Sequence, residues 1–258
     1  MASNPINTMD RFTSFSQEIQ AIEALRKSRR SKIKKYPTVS VLLSTLRADD
    51  LSNLLDQLLA QTLATFDLVL GLHTIELSAS HKRQIVALNR RKVKVTVQKF
   101  TQDQTLGTIL STLASQSQSD YIAKMDDDDY YGPEHLRDLV DAALDTRADV
   151  VGRAMNYVYL EPLQLTVRRF APHGTQAVEL WSDWVCGGTI LAKRDVAEAA
   201  GWFGDGNTAV DRFLLSGVTN NGGKFGAHLE PDISTAAHLL STPTSPIIQS
   251  ISTVPMNK

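Results

Sequence analysis

Four consecutive aspartates, Asp126 to Asp129, follow directly on the short apolar run Tyr121–Met125 and are closed by Tyr130-Tyr131-Gly132-Pro133. Adjacent carboxylates repel one another, so such a run favours no regular local structure unless a cation or water compensates it. The apolar run, bounded by breakers, reads as a buried strand. A carboxylate cluster at the C-terminal end of a buried strand stands where open α/β sheets bind their ligands. Hard oxygen ligands suit Mg²⁺ or Mn²⁺, and such ions complete their shells with water and substrate phosphates. The plainer alternative is an acidic turn solvated by water.

Around this stretch the chain alternates strand and helix. Val39–Leu43, Phe66–Leu70 and Val93–Val97 read as strands before Tyr121–Met125. Leu51, Leu54, Leu55, Leu58 and Leu59 fall on one helical stripe, with Asp49 or Asp50 as its cap. Ser80 is placed to cap a helix through Asn89, and Leu106, Ile109, Leu110 and Leu113 mark another. Gly132-Pro133 opens a helix whose buried stripe is Leu136, Leu139, Val140, Ala143 and Leu144. Short strands follow at 150–151, Met155–Leu160 and Leu165–Phe170, and Cys186-Gly187-Gly188 leads into a strand at Thr189–Ala192. A helix at Arg194–Ala200 ends at Gly201, a further one starts near Val210-Asp211, and Lys224–Leu229 reads as a strand. This order argues for an α/β protein with a mostly parallel sheet covered on both faces.

Composition narrows the function classes. The net charge of −1 gives no global field for nucleic acid. The single cysteine, Cys186, excludes an intrachain disulfide and fits a reducing, cytoplasmic setting. There is no apolar run of about 18 residues and no signal-peptide pattern. Residues 1–35 stand apart. Phe15, Ile19, Ile22 and Leu25 recur at helical spacing, and seven basic residues but no acidic one lie between Arg26 and Lys35. Such a helix either docks on the domain or contacts anionic lipid or a polyanionic acceptor.

Five segments, in order, resemble the large inverting glycosyltransferase family related to bacterial polysaccharide synthases, family 2-like and of GT-A fold. They are Pro37–Thr45; Leu54–Thr62, ending in Ala60-Gln61-Thr62; Tyr121–Pro133; Gly187-Gly188-Thr189 through Arg194 with Gly201-Trp202-Phe203; and Asp211 ahead of an apolar helix. The resemblance covers roughly Tyr36 to His238. It implies a Rossmann-like three-layer α/β/α fold with a mostly parallel mixed sheet. A nucleotide-binding half (36–131) and an acceptor-side half (132–240) would lie between the N-terminal extension and a tail at 241–258. It implies metal-dependent sugar transfer, with inversion, from a UDP-, GDP- or dTDP-linked donor to a hydroxyl of a glycan or surface polymer, in polysaccharide biosynthesis. Arg26–Lys35 would then be a peripheral contact at the inner face of the membrane.

By the same resemblance Asp126 contacts the ribose, Asp128 binds Mn²⁺ or Mg²⁺, and His238 is a further metal ligand. Ser44, Thr45, Arg47, Asp126 and Asp127 face the nucleotide, Asp211 is the general base, and Trp181, Trp184, Gly187 and Gly188 face the acceptor. Asp127 and Asp129 offer the same Asp-x-Asp spacing one residue on. The plainer readings are a helix cap for Asp211, a surface histidine for His238 and core packing for the tryptophans. Two departures stand out. The second strand ends Leu70-Gly71-Leu72-His73-Thr74, where the family commonly keeps a base-reading aspartate. Leu106-Gly107-Thr108-Ile109 lacks the basic residue often aimed at the diphosphate, which leaves Arg47, Lys124 or another basic residue as the substitute.

Rival readings fit less well. A haloacid-dehalogenase-like phosphatase wants its Asp-x-Asp on the first strand, and an EF-hand loop needs Gly and Glu where Tyr131 and Arg137 stand. A sugar-nucleotide pyrophosphorylase wants a Gly-rich loop where Ser44-Thr45-Leu46-Arg47 contains none. The non-enzymatic alternative is a degenerate transferase domain that binds nucleotide or glycan, or acts as a scaffold.

Overall fold

Period-two alternation on the first strand sets up the layers. In β1 (Val39–Thr45), Val39, Val41 and Leu43 enter one apolar cluster and Leu42 the other, all nearly free of solvent. The computed structural model of the chain describes residues 15–153, 157–163, 165–168, 179–182 and 184–228. Within them β2 (Asp67–His73), β3 (Lys94–Phe100) and β4 (Tyr121–Met125) join β1 in parallel, in the order β3-β2-β1-β4. The sheet continues through β9 (Leu191–Lys193), antiparallel to both neighbours, to β5 (Val150–Arg153), β10 (Phe225–His228) and β8 (Glu179–Trp181). Eight strands therefore form a mixed, mostly parallel sheet, as the sequence reading expects. A separate hairpin pairs β6 (Tyr157–Leu160) with β7 (Leu165–Arg168).

Helices cover both faces. Leucines of α2 (Ala48–Ala60), α3 (Ala79–Arg90) and α5 (His135–Thr146) pack on one side. Apolar residues of α4 (Leu106–Gln116), α6 (Arg194–Ala199) and α7 (Val210–Asn220) pack on the other. Several boundaries differ from the sequence reading. α3 is capped by Ser78, not Ser80, because the Ser78 hydroxyl accepts from the His81 N–H while His81 Nδ1 accepts from the Ser78 N–H. The N-cap of α2 is Arg47, with Asp49 and Asp50 inside the first turn, where their charge favours the helix dipole. Gly187–Thr189 forms a 3₁₀ turn, so the strand there begins only at Leu191.

Gln61 explains the Ala-Gln-Thr at the end of α2. It is fully buried; its Nε2 donates to the Gly132 carbonyl at 2.8 Å and its Oε1 accepts from the Leu136 N–H at 3.0 Å. The entry of α5, and with it the end of the aspartate loop, is thus pinned to α2. The Tyr131 N–H adds to this by donating to Gln57 Oε1 at 2.6 Å.

The basic N-terminal helix α1 (Phe15–Lys32) lies on α5. Ile22 is fully buried, and the arginines meet an acidic stripe. Arg26 forks onto Asp138 at 2.9 and 2.5 Å; Arg30 reaches Glu134 at 2.5 Å, Asp141 at 2.9 Å and Asp138 at 3.1 Å; Arg29 reaches Asp145 at 3.2 Å. Arg153, at the end of β5, approaches Asp138 from the core side at 3.6 Å. The docking reading of this segment holds for its arginines, whereas Lys27, Lys34 and Lys35 stay exposed. Among the described residues no helix is long and apolar enough to cross a membrane. Residues 1–14 and the tail at 241–258 lie outside the described residues.

Asp138 is almost wholly buried and is shared by Arg26, Arg30 and Arg153, so removing it takes one close partner from each of three guanidinium groups. Asp138→Ala is expected to cost about 1.5–3 kcal/mol, the loss of hydrogen bonds between charged groups. Urea denaturation with an unchanged slope measures it, and a loss below about 1 kcal/mol contradicts the account.

Candidate active site

At the C-terminal edge of the parallel strands a cleft of about 440 Å³ opens between β1, β2 and β4 and the starts of α4 and α7. Ser44 lines it at the end of β1, Leu46 and Arg47 just after, His73 at the end of β2, Lys124 and Asp126 to Asp128 at the end of β4, and Asn207 to Asp211 at the start of α7. His73 thus stands where the resemblance expects an aspartate.

Lys124 organises the cleft. Its side chain is only 2% exposed, and a buried ammonium is tolerated only when paired. Nζ lies 2.6 Å from Asp126 Oδ1, 3.2 Å from Asp211 Oδ1 and 3.3 Å from the Gly187 carbonyl. Burial alone would lower the lysine, but the two carboxylates outweigh it and hold the pKa above the ordinary value. Asp211 is raised by burial and by Asp126, against the pull of Lys124. It does not cap α7, whose N-cap is Ala209 in the left-handed region at φ 56°.

The other aspartates divide between two environments. Asp127 accepts from the Thr45 hydroxyl at 2.7 Å and from Arg47 Nη1 at 2.8 Å, and burial raises its pKa against both contacts. Asp128 is exposed and lies 3.0 Å from the same Arg47 nitrogen. Asp129 is exposed as a residue, but its carboxylate turns inward: a Cβ on Gly188 would stand 2.5 Å from its Oδ2. Burial of that carboxylate, with Asp126 and Asp128 beside it, pushes its pKa up to about 6. Tyr131, buried beneath the loop, accepts from the Asp126 N–H and donates to the Gly188 carbonyl, both at 2.7 Å.

The glycine pair is required by close approach. A Cβ on Gly187 would meet Asp211 Oδ2 at 2.1 Å, and one on Gly188 would meet Asp126 Oδ2 at 2.8 Å as well as Asp129. Gly107, in the first turn of α4, is tighter still: its Cβ would fall 1.6 Å from the Gly204 carbonyl oxygen. The helix start that lacks a basic residue is therefore packed against the loop that leads to Asp211. Thr105 and Thr108 fasten the same loop by donating to Asp205 at 2.5 and 3.0 Å.

Ser44, Thr45, Arg47, Asp126, Asp127, Asp128, Gly187, Gly188 and Asp211 are thus brought around one site. Trp184 is exposed just ahead of the glycine pair, while Trp181 is half-buried on β8 and packs against the core. His238 lies outside the described residues. The sequence reading missed Tyr131 as the hydroxyl under the loop and Lys124 as the link to Asp211. The signal for Lys124 was available, since a charged residue inside an otherwise apolar strand must find a buried partner.

The donor set fits a hard divalent cation. Carboxylate oxygens of Asp126, Asp127 and Asp128 line the cleft, and the raised Asp129 records negative charge that a cation would relieve. No three His, Cys, Asp or Glu side chains among the described residues converge into a preformed cage, so such an ion would draw much of its shell from water and phosphate.

Residues 77–198 match the model of the family described as Glycosyl transferase family 2. This span holds the aspartates and both glycines and stops short of Asp211. A mannosyltransferase from Pyrobaculum calidifontis, solved with GDP-Man and Mn²⁺, superposes with a TM-score of 0.55 at 16% identity, over 84% of this chain and 64% of its own. TarS 1-349 of S. aureus, solved with UDP-GlcNAc, gives 0.58 at 18% identity, over 75% and 56%. The chain has a GT-A fold, and its segment 77–198 is similar to family 2. It spans less than two thirds of the length of either structure, and no curated protein matches it in sequence.

The Asp129 environment gives a pH signature in the metal-free protein. A carboxyl raised above its unfolded value binds its proton more tightly in the fold, so it favours folding at low pH and loses that effect as pH rises through about 6. Asp129→Asn is expected to melt above the parent at pH 7.5, with the gap closing towards pH 5. A gap that does not change with pH contradicts the assignment.

Proposed function

We propose that the protein is a metal-dependent glycosyltransferase that moves a sugar, with inversion, from a nucleoside-diphosphate donor to a hydroxyl of a glycan or surface polymer. The observation that carries this is the cleft in which Asp126–Asp128, at the end of β4, face Asp211, at the start of α7, through one buried lysine. Solved relatives of the same fold bind GDP-Man and UDP-GlcNAc, which supports a sugar nucleotide as donor.

In this reading Ser44, Thr45, Arg47, Asp126 and Asp127 hold the nucleotide, and Asp128 is the first metal ligand, with His238 as a further one. A divalent cation there would neutralise the charge that grows on the leaving diphosphate. Asp211 takes the acceptor hydroxyl proton as that oxygen attacks the anomeric carbon. The bond from that carbon to the diphosphate breaks at the same time, and its electron pair leaves with the nucleotide. Lys124 keeps Asp211 turned into the cleft. Gly187 and Gly188 let the base and the aspartate loop close in beside the acceptor, on which exposed Trp184, and Trp181 behind it, would stack.

Thermal melting with Mn²⁺ and UDP, GDP, dTDP or CDP tests the donor site. One nucleotide at about 100 times its dissociation constant adds roughly 2.7 kcal/mol, and Asp128→Asn should abolish the metal-dependent part. No shift with any nucleotide moves the weight to a degenerate binding module. Asp211→Asn should keep the shift while transfer falls by about 10²–10⁴; transfer at the parental rate would remove Asp211 from the mechanism. Because burial raises Asp211, the acid limb of kcat/KM is expected above the ordinary carboxylate range.

Peripheral contact with an anionic surface then falls to Lys27, Lys34 and Lys35. Replacing the three by Gln should halve or more the fraction that sediments with phosphatidylserine vesicles, and an unchanged fraction ends that part of the reading.

A further inference from the structure

Building on the transferase reading, we propose that Arg47 holds the place of the cation at Asp128 in the ligand-free protein and passes to the diphosphate when metal and nucleotide enter. Arg47 Nη1 lies 2.8 Å from Asp127 Oδ1 and 3.0 Å from Asp128 Oδ2. One nitrogen between two carboxylates performs the neutralisation that a divalent ion would perform there. The anchor of this side chain is fixed, because the Arg47 N–H donates to Thr45 Oγ1 at 3.0 Å. The side chain itself is 42% exposed, so it can exchange partners without unpacking the core.

Elimination among the cleft residues strengthens the assignment. Among the described residues the basic side chains of the lining are His73, Arg47 and Lys124. Lys124 is buried and bound to Asp126 and Asp211, and its departure would strand both carboxylates. The first turn of α4 offers no basic side chain, and Gly107 there admits none. A diphosphate in this cleft therefore meets Arg47. A guanidinium fork matches paired phosphate oxygens, whereas the small carboxylate of Asp128 is a natural ligand for a hard cation. After the exchange every charge keeps a partner: Asp128 has the cation, Arg47 the diphosphate, and Asp127 still accepts from Thr45 at 2.7 Å. A metal arriving alone must displace the arginine with no phosphate to receive it. Metal and nucleotide consequently bind with positive linkage, and Arg47 is its source.

The test compares the parent with Arg47→Gln. Binding of Mn²⁺ alone is followed by the paramagnetic resonance of the free ion, and UDP, GDP, dTDP and CDP are titrated calorimetrically in excess Mn²⁺. Without nucleotide the variant is expected to bind Mn²⁺ about two- to fivefold more tightly, the release of an exposed ion pair. The nucleotide that binds the parent should bind the variant about tenfold more weakly, the loss of a charge-assisted contact. Arg47→Lys, which keeps the charge without the fork, should fall between the two on the nucleotide. Mn²⁺ affinity in Arg47→Gln equal to or below the parent overturns the exchange and leaves the transferase reading standing. A parent that binds none of the four nucleotides overturns that reading, and the exchange with it.

Discussion

The ammonium of Lys124 is the contact on which the rest of the site depends. Moving such a charge out of water costs several kcal/mol, and the cost is offset only if close partners surround it. Those partners come from three separate segments: Asp126 from the loop after β4, Asp211 from the start of α7 and the carbonyl of Gly187 from the 3₁₀ turn. The fold must therefore hold all three within reach of one strand residue, and the two halves of the sheet meet at a fixed distance. Both glycines follow from this, because any side chain at 187 or 188 would collide with a carboxylate that the lysine draws in.

The aspartate run is stable for a related reason. Each carboxylate has its own means of being tolerated. Asp126 has the lysine, Asp127 has Thr45 and Arg47, Asp128 has Arg47 and exposure to solvent, and Asp129, its carboxylate buried beside like-charged neighbours, has its pKa pushed up to about 6. The backbone that presents them is held from below by the Tyr131 hydroxyl, which ties the Asp126 N–H to the Gly188 carbonyl. Tyr131 and Gln61 together make the loop an extension of the core, so its charges are placed by apolar packing well away from the cleft.

Elements whose pattern is written locally were legible in the sequence. β4 has the bounds the sequence reading gave it, and the leucine stripes of α2, α4 and α5 face the core. Strand ends were less legible, because β2 and β3 pair on through Gly71–His73 and Gln98–Phe100, where only Leu72 and Phe100 join the core and the rest carries no apolar pattern. β8 was missed since three residues carry no period, and its pairing with β10 is a tertiary event. The Ser78 cap was missed because a histidine replaces the usual Glu or Gln of the capping box. At the site, the residue types were legible and the partnerships were not. Lys124 stood in view as a candidate for the diphosphate, yet its partner Asp211 lies 87 positions further on.

The same division explains how far similarity extends. Alternation on strands and stripes on helices need only apolar residues of suitable size, so structures at 16–18% identity can share the architecture. The aspartate loop and the glycine pair need particular atoms at particular places, and both fall within the span that matches the family model. The loop from Phe203 to Val210 is different. It is fixed by its fit to Gly107 and by Thr105 and Thr108 on Asp205, contacts made by pairs about 100 residues apart. Such pairs can change together while still presenting an acidic residue at the head of α7. The approach to Asp211 is thus fixed by paired contacts between distant segments rather than by the packing that sets the sheet.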